Sequence, residues 1–194
     1  MKYLLGILLL AFASGCSSSD PIAAMDDADR SIEKDRTDVG HVPRAVVVGA
    51  GLSGLSAALE LASGGAEVTV IDMSSVYGGH AVMSQGGLAV IDTPLQKANG
   101  QNDSADLAYQ DFIEWGEGAN REWVRYYVDH SREMIYDWLI ELGVRFSGVE
   151  TAPGNTVERF HQPDGRGIGL VTPVYRACLE YENVRFIWNT QADG

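Results

Sequence analysis

The sequence has few basic residues for its length and only two cysteines. Its 194 residues include 14 Lys and Arg against 27 Asp and Glu, for a formal net charge of −13. Because binding to phosphate backbones needs clustered cations, this balance argues against nucleic acid or an anionic membrane surface as a partner. The cysteines are Cys16, in an apparent leader, and Cys178, in an apparent helix. The folded part therefore has no disulfide framework, and we interpret Cys178 as a small buried hydrophobe.

The apolar run at the N-terminus is too short to span a bilayer. It covers residues 3–13 after the cation Lys2, which is the size of a signal-peptide core. The ending Ser14-Gly15-Cys16 resembles the bacterial lipobox, although Ala13 stands where leucine is usual. We predict a lipoprotein-type signal peptide over residues 1–16, with acylation of Cys16 anchoring the exported protein in the bacterial cell envelope. A secretory signal without lipidation is the alternative.

Residues 17–41 have few large apolar side chains and are rich in acid. A segment of this composition cannot bury enough surface to order itself, so we predict a flexible acidic tether. The ordered domain is predicted over residues 42–194, and no internal repeat is visible.

A glycine-rich turn between an apolar strand and an amphipathic helix is the strongest pattern in the sequence. The strand, residues 45–48, is apolar and is expected to be buried on both faces of a parallel sheet. Gly49 permits a sharp turn, Gly51 lets the backbone approach a diphosphate, and Gly54 lets the helix lie close to the strand. The helix N-terminus then presents N–H groups and a positive dipole end to the phosphates. The candidate cofactor-binding residues of this turn are Gly49, Ala50, Gly51, Ser53 and Gly54.

An acidic residue follows this turn where a ribose ligand is expected. The helix is predicted to end at Gly64-Gly65, and a second apolar strand ends at Asp72, about 20 residues after the turn. A carboxylate here can accept hydrogen bonds from both hydroxyls of an adenosine ribose and disfavours a 2′-phosphate. The motif therefore indicates FAD or NAD, not NADP. Asp72 and the next residue, Met73, are candidate cofactor-binding residues.

Two glycine pairs follow closely, Gly78-Gly79 before His80 and Gly86-Gly87 after Gln85. Paired glycines indicate backbone that comes close to something flat or charged. Together with the turn and Asp72, these pairs resemble the FAD-binding domain of the fumarate reductase and succinate dehydrogenase flavoprotein family. That family also includes ketosteroid dehydrogenases and urocanate reductases. The resemblance extends from about residue 44 to the end of the chain, and its motifs are specific for the family but not for a substrate.

The resemblance implies an α/β fold with a Rossmann-like FAD-binding domain and a parallel sheet, of which this chain is the N-terminal part without the capping domain. In the family, the first glycine pair lies by the diphosphate and ribityl chain of FAD, and the second passes the isoalloxazine. His80 stands in the register of a histidine that carries a covalent flavin in some members. We expect it to contact FAD without a bond, and covalent attachment is the alternative. The candidates that the resemblance adds are Gly78, Gly79, His80, Ser84, Gln85, Gly86 and Gly87.

The implied activity is hydride transfer between flavin N5 and a C–C or C=C bond of a small organic substrate, as in fumarate reductases. The electron donor or acceptor is unknown, and we assign no catalytic residue and no metal ligand, because the family's proton-delivering arginine and cap would lie beyond the last residue. Two alternatives stay open here: a NAD-binding dehydrogenase domain, and a non-catalytic, membrane-tethered nucleotide-binding module.

The sequence of the rest of the chain predicts helices, loops and one further strand around this unit. Residues 94–103 are polar and are predicted to form an exposed loop. A helix is expected from Ser104, and a longer one from Asn120 to Gly143. A further helix is predicted to begin at Thr172-Pro173, after a glycine-rich loop that contains His161 and Arg166. We assign structure and charge balance, not catalysis, to both of these residues. Residues 183–190 are predicted to form a strand beside the Asp72 strand.

Overall fold

The computed structural model describes residues 42–193, which form an α/β unit with one parallel and one antiparallel sheet. The predicted signal peptide, Cys16 and the predicted acidic tether lie outside the described residues. None of the helices between residues 42 and 193 has both the length and the hydropathy needed to cross a bilayer. In chain order the elements are β1 (Arg44–Val48), α1 (Leu52–Ser63), β2 (Glu67–Ile71), a 3₁₀ turn (Gly79–Met83), β3 (Leu88–Ala89), α2 (Pro94–Ala98), α3 (Ala105–Trp115), α4 (Arg121–Ser131), a π-helical segment (Arg132–Asp137), α5 (Trp138–Glu141), β4 (Phe146–Glu150), β5 (Phe160–Pro163), α6 (Arg166–Leu179) and β6 (Val184–Ile187).

Strands β1, β2 and β6 form the parallel sheet, in the order β1-β2-β6. Val47 of β1 pairs with Val70 of β2, which pairs with Phe186 of β6. Helices α1 and α6 pack on one face of the sheet, and the core between them and the strands includes Leu55, Ala58, Val68, Val70, Val171, Val174 and Cys178. The predicted strand–helix–strand unit, the buried Cys178 and the position of β6 beside the Asp72 strand are all confirmed.

The prediction that β1 is buried on both faces is wrong for the described residues. Val46 and Val48 are each 67% exposed, whereas Val47 packs against the helical layer. Successive side chains of a strand point to opposite faces, and α1 and α6 cover the same face. The opposite face of β1 therefore carries apolar side chains that the described residues leave open.

A second layer contains the antiparallel sheet, in the order β3-β5-β4, and the helices α3 and α4. A small cluster of Ile91, Ala108 and Val128 joins these helices to the chain that follows β3. Asn120 caps α4 by accepting hydrogen bonds from the N–H groups of Glu122 and Trp123. The predicted long helix from Asn120 is present, but a π-helical segment interrupts it before α5.

The exposed loop predicted over residues 94–103 is confirmed only in part, because Pro94–Ala98 form α2 and the loop is limited to residues 99–103. Thr93 and Gln96 form a reciprocal capping box at the start of α2. Thr93, Gln96 and Asp103 are all buried. Gln96 and Asp103 are therefore used for capping and for buried hydrogen bonds, whereas residues 97–100 and Asn102 are exposed.

Helix α6 begins at Arg166, well before the predicted start at Thr172-Pro173. The glycines that suggested a loop are instead sites of close packing in the first turns of the helix. A Cβ built at Gly167 would overlap the carbonyl oxygen of Ala81, and one at Gly169 would overlap that of Asp164. Pro173 consequently lies inside the helix.

Candidate functional site

The three glycines of the turn after β1 differ in their surroundings. Gly49 has a φ of 99°, a conformation that glycine adopts at no steric cost. No heavy atom of residues 42–193, apart from its chain neighbours, lies within 4 Å of a Cβ built at Gly51. A Cβ built at Gly54 would overlap the carbonyl oxygen of Gly49. The first glycine therefore turns the chain, the second leaves an open approach to the backbone, and the third allows α1 to lie against β1.

The N-terminus of α1 is free to receive an anion. Gly51 is the N-cap residue and provides no side-chain cap, and the first turn of the helix carries no acidic residue. The first N–H groups of a helix have no partner within the helix, so those of Leu52 and Ser53 point outward beside Gly51. A diphosphate there would meet N–H donors and the positive end of the helix dipole.

Asp72 follows β2 at the same edge of the sheet and is bound to the glycine turn. Its Oδ2 accepts a 2.6 Å hydrogen bond from the N–H of Ala50, and its Oδ1 accepts a 2.7 Å bond from the N–H of Ser74. Partial burial opposes ionisation of this carboxyl, but its hydrogen bonds with the backbone of Ala50 and with the backbone and side chain of Ser74 outweigh it and hold the pKa below its ordinary value. Asp72 is therefore ionised at neutral pH, and each oxygen keeps a further lone pair for a ligand hydroxyl.

The first glycine pair lies alongside the glycine turn. The N–H of Gly78 donates a 2.7 Å hydrogen bond to the carbonyl oxygen of Ala50, and Gly78 forms an isolated parallel bridge with Gly51. A Cβ built at Gly79 would lie 3.6 Å from the Cα of Gly51. Two stretches of backbone without side chains thus come together beside the N-terminus of α1.

A cleft of about 530 Å³ opens at this edge of the sheet. Of the predicted site residues, Gly49, Asp72, Met73, Gly79 and His80 line it. The His80 side chain is exposed, within the 3₁₀ turn Gly79–Met83. One residue of the glycine turn, the acidic strand end and one residue of the first glycine pair thus border one cavity, whereas Gly51 and Gly78 lie beside it and do not line it.

Sequence reasoning missed the segment after β6, which forms the far wall of the cleft. Thr190, Gln191 and Ala192 line the cavity. The N–H of Thr190 donates a 2.9 Å hydrogen bond to the carbonyl oxygen of Asp72. The signal was available, because the carboxyl ends of neighbouring parallel strands meet at the same edge of a sheet.

The second glycine pair does not line this cleft. A Cβ built at Gly86 would lie 2.8 Å from the backbone of Arg166 and Gly167, and one built at Gly87 would overlap the ring of Phe160. Ser84 supports the same bend, because its Oγ accepts a 3.1 Å hydrogen bond from the N–H of Gly86. Close packing against β5 and α6 thus requires this pair, and contact of Ser84, Gln85, Gly86 and Gly87 with a cofactor stays a prediction.

A buried ionic cluster fastens the second layer together, and sequence reasoning missed it. The guanidinium of Arg159 is fully buried, donates two hydrogen bonds to Asp103, of 2.8 and 2.7 Å, and donates a 2.8 Å bond to Asp111. Burial alone would raise the pKa of Asp103, but the hydrogen bonds and the charge of Arg159 lower it overall. The partners are 48 and 56 residues apart in sequence, so no local pattern reveals the cluster.

His161 is part of the same buried layer and not of the predicted loop. It lies on β5, fully buried, with Nε2 2.7 Å from Thr93 Oγ1 and Nδ1 2.8 Å from the carbonyl oxygen of Arg159. Burial lowers the pKa of His161, although its hydrogen bonds act in the opposite direction. The ring thus makes a buried polar contact between β5 and the residue that caps α2.

Comparison with known families identifies the same region. The family described as FAD binding domain has a sequence model that matches residues 44–193, nearly the whole described part of the chain.

The chain is also similar to curated proteins that are much longer. A KsdD-like steroid dehydrogenase of Mycobacterium tuberculosis is 34% identical over 174 residues, which is 79% of this chain and 30% of that protein. A fumarate reductase (cytochrome) of Shewanella frigidimarina is 35% identical over 150 residues, or 75% of this chain and 26% of that protein. The chain thus spans less than a third of either relative.

Solved structures show the same similarity. A 3-ketosteroid-Δ4-(5α)-dehydrogenase from Rhodococcus jostii superposes with a TM-score of 0.69 at 28% identity, over 79% of this chain and 39% of that one. A flavocytochrome c3 fumarate reductase superposes with a TM-score of 0.68 at 25% identity, over 84% of this chain and 29% of that one.

Proposed function

Because the chain belongs to the FAD binding domain family, we propose that it forms the FAD-binding part of an oxidoreductase that acts on a carbon–carbon bond of a small organic substrate. The cradle that carries this proposal is the open backbone at Gly51, flanked by Gly79 and Asp72. The NAD-binding alternative loses its support, because the matching family is described as an FAD binding domain.

The residues present fit an FAD molecule. The open approach at Gly51 and the uncapped N-terminus of α1 would hold the diphosphate, with Gly79 on the other side. The ionised carboxylate of Asp72 would accept hydrogen bonds from the adenosine ribose. His80 and Met73 would lie along the cofactor because they line the cleft that Asp72 and Gly79 also line. When bound, FAD supplies the redox chemistry, which is hydride exchange with the substrate.

The reaction class is supported by the names of two relatives. Reduction of fumarate saturates a carbon–carbon double bond, and a 3-ketosteroid-Δ4-(5α)-dehydrogenase forms such a bond, so the two reactions run in opposite directions. Residues 42–193 bind and orient the cofactor in this proposal, and we assign none of them as the acid or base that handles the proton.

The experiment that tests this function uses the purified full-length protein. We expect bound flavin in its visible spectrum, and either reduction of fumarate by a reduced viologen dye or oxidation of a 3-ketosteroid with a saturated A ring by an oxidised quinone-imine dye. Purification without flavin, and no flavin uptake on addition of FAD, would contradict the proposal. Flavin binding with neither activity would leave a nucleotide-binding module as the better description.

We also propose that the protein is exported and attached to the bacterial envelope through Cys16. The support is the sequence of residues 1–16, with its short apolar run before Ser14-Gly15-Cys16. Labelled palmitate should enter the wild-type protein in a bacterial host but not Cys16→Ser. An unlabelled wild-type protein in the soluble periplasmic fraction would favour the plain secretory signal.

A further inference from the structure

Tyr77, the residue before the first glycine pair, is fastened to α6 by two separate contacts. Its ring stacks on that of Tyr175, with centroids 4.0 Å apart and planes inclined by 11°. Its Oη lies 3.0 Å from Oγ1 of Thr172, a hydrogen-bonding distance. Both partners belong to α6, almost a hundred residues later in the chain. A side chain held by a stack and by a hydrogen bond has little freedom to move.

The next residue, Gly78, connects the anchored Tyr77 to the glycine turn. Gly78 has a φ of 107°, donates to the carbonyl oxygen of Ala50 and pairs with Gly51. A Cβ at Gly78 would overlap Val82 and lie 3.4 Å from Val171 of α6. The backbone of Gly78 is therefore confined between the turn and α6, and Tyr77 fixes its entry point.

The stack continues to the wall of the cleft that follows β6. Tyr175 packs edge-on against Phe186 and Trp188, and these two rings stack on each other with centroids 5.2 Å apart. The next residue, Asn189, donates its N–H to the carbonyl oxygen of Ser74. The segment between Asp72 and Gly79 is thus held near both of its ends by the same aromatic group.

We propose that Tyr77 is a positioning residue for FAD: it holds Gly78 and Gly79 against the glycine turn so that the backbone closes around the diphosphate. Tyr77 does not line the cleft of about 530 Å³, so it acts through the two glycines and not through contact with the ligand. This inference rests on the binding of FAD to the cradle, which belongs to the proposed function.

Ordinary core packing makes a different prediction from positioning. If Tyr77 only filled space, its loss would lower the stability of the fold and would change FAD affinity no more than an equal loss of stability elsewhere in α6. If Tyr77 positions the glycines, its loss lowers the affinity for FAD by more than an equal loss of stability elsewhere in α6 does. The affinity for ADP falls by a similar factor, because the contact is on the diphosphate side.

The experiment measures the dissociation constants of FAD and ADP with the full-length apoprotein, by fluorescence titration, alongside thermal unfolding. Tyr77→Phe and Thr172→Val each remove one partner of the hydrogen bond and keep the stack. The control Val174→Ala removes volume from a buried position of the same helix and leaves both contacts of Tyr77 chemically intact.

We expect Tyr77→Phe and Thr172→Val each to weaken FAD binding about fivefold, as one hydrogen bond predicts, with no further loss in the double variant. Tyr77→Ala should weaken it about tenfold or more. Wild-type affinity in folded Tyr77→Ala, or an equal loss in Val174→Ala, would overturn the inference. If Tyr77→Ala does not fold, unchanged affinity in both hydrogen-bond variants would overturn it. Failure of the wild-type protein to bind FAD would instead refute the proposed function.

Discussion

The carboxylate of Asp72 and the backbone N–H of Ala50 are joined by a hydrogen bond of 2.6 Å. This bond ties the residue proposed to hold the ribose to the turn proposed to hold the diphosphate. The two binding elements belong to different strands, 22 residues apart, so the bond fixes their separation before any ligand arrives. A cradle ordered in advance loses less conformational entropy on binding.

Replacement of Asp72 by asparagine should weaken FAD binding without unfolding the protein. The variant loses the charge that strengthens hydrogen bonds to the ribose hydroxyls, an effect of about 1.5–3 kcal/mol, or roughly ten- to a hundredfold in affinity. Titration of the apoprotein with FAD measures the change. Asp106→Asn removes an exposed carboxylate from the first turn of α3 and serves as the control. Equal affinities for the two variants would contradict the role of Asp72.

Two alanine substitutions in the glycine turn should have different effects: Gly54→Ala should lower the stability of the fold, and Gly51→Ala should lower the affinity for FAD. In Gly54→Ala the new methyl group overlaps the carbonyl oxygen of Gly49, so we expect a loss of about 1–3 kcal/mol in the free energy of unfolding. In Gly51→Ala the methyl group enters open space and the backbone is extended, so stability should change by less than about 0.5 kcal/mol.

FAD affinity separates the two positions further. Gly51→Ala should lose most of its affinity, because the methyl group occupies the approach of the diphosphate. Denaturant unfolding and FAD titration of both variants test this pair of expectations. Normal FAD binding by Gly51→Ala would show that the diphosphate does not bind at this turn.

The local parts of this site are the ones that the sequence predicts. Gly49, Gly51, Gly54 and Asp72 fall in one strand–turn–helix–strand unit, where spacing along the chain translates directly into position. The start of α6 was predicted too late because glycine is a poor helix former. The helix needs glycine at position 167 because the carbonyl oxygen of Ala81 comes too close for a side chain. Only the tertiary structure reveals this contact.

Long-range polar contacts could not be predicted in the same way. Arg159 reaches Asp103 across 56 residues, and each of these side chains looks like an ordinary surface charge in the sequence. Tyr77 and Thr172 are 95 residues apart, and nothing in the sequence around either residue indicates their contact. Such pairs depend on how the two layers pack, and a single sequence carries no periodic signal for that.

The buried cluster around Arg159 should dominate the stability of the second layer. Arg159→Met leaves the carboxylates of Asp103 and Asp111 buried without their cation, and we expect a loss of about 3–5 kcal/mol in the free energy of unfolding. Arg145→Met, at an exposed ion pair with Asp164, should cost less than about 1 kcal/mol. Similar unfolding midpoints for the two variants would show that the cluster contributes little.

Acid should weaken the same cluster at low pH. The pKa of Asp103 is lower in the folded protein than in the unfolded chain. As the pH falls, this carboxylate is therefore protonated in the unfolded chain before it is protonated in the folded protein. The contribution of Asp103 is complete above about pH 4, the ordinary value for aspartate, and is lost as the pH falls towards the folded pKa. Unfolding measured as a function of pH should show this loss in the wild-type protein and a smaller one in Asp103→Asn. Identical acid profiles would contradict it.

His161 should destabilise the protein as the pH falls below about 6.5, which is a milder acidity than Asp103 requires. Burial lowers its pKa, so below about pH 6.5 the unfolded chain takes up a proton that the folded protein does not. Stability should therefore fall as the pH decreases from about 6.5, by at most about 1.4 kcal/mol per pH unit. His161→Gln should flatten this slope, whereas His130→Gln, at an exposed position on α4, should retain it. An unchanged slope in His161→Gln would assign it to other groups.

His80 should contact the flavin without a covalent bond. Its side chain is exposed and lines the cleft, so it is within reach of a ligand there. Acid precipitation of the flavin-loaded protein should leave the flavin fluorescence in the supernatant, and His80→Ala should still purify with flavin at somewhat lower affinity. Fluorescence that stays with the denatured polypeptide of the wild-type protein, and is lost in His80→Ala, would instead identify a covalent link at this residue. Because a covalent bond would bypass the equilibrium on which the Asp72 and Gly51 titrations depend, this measurement comes first among the binding experiments.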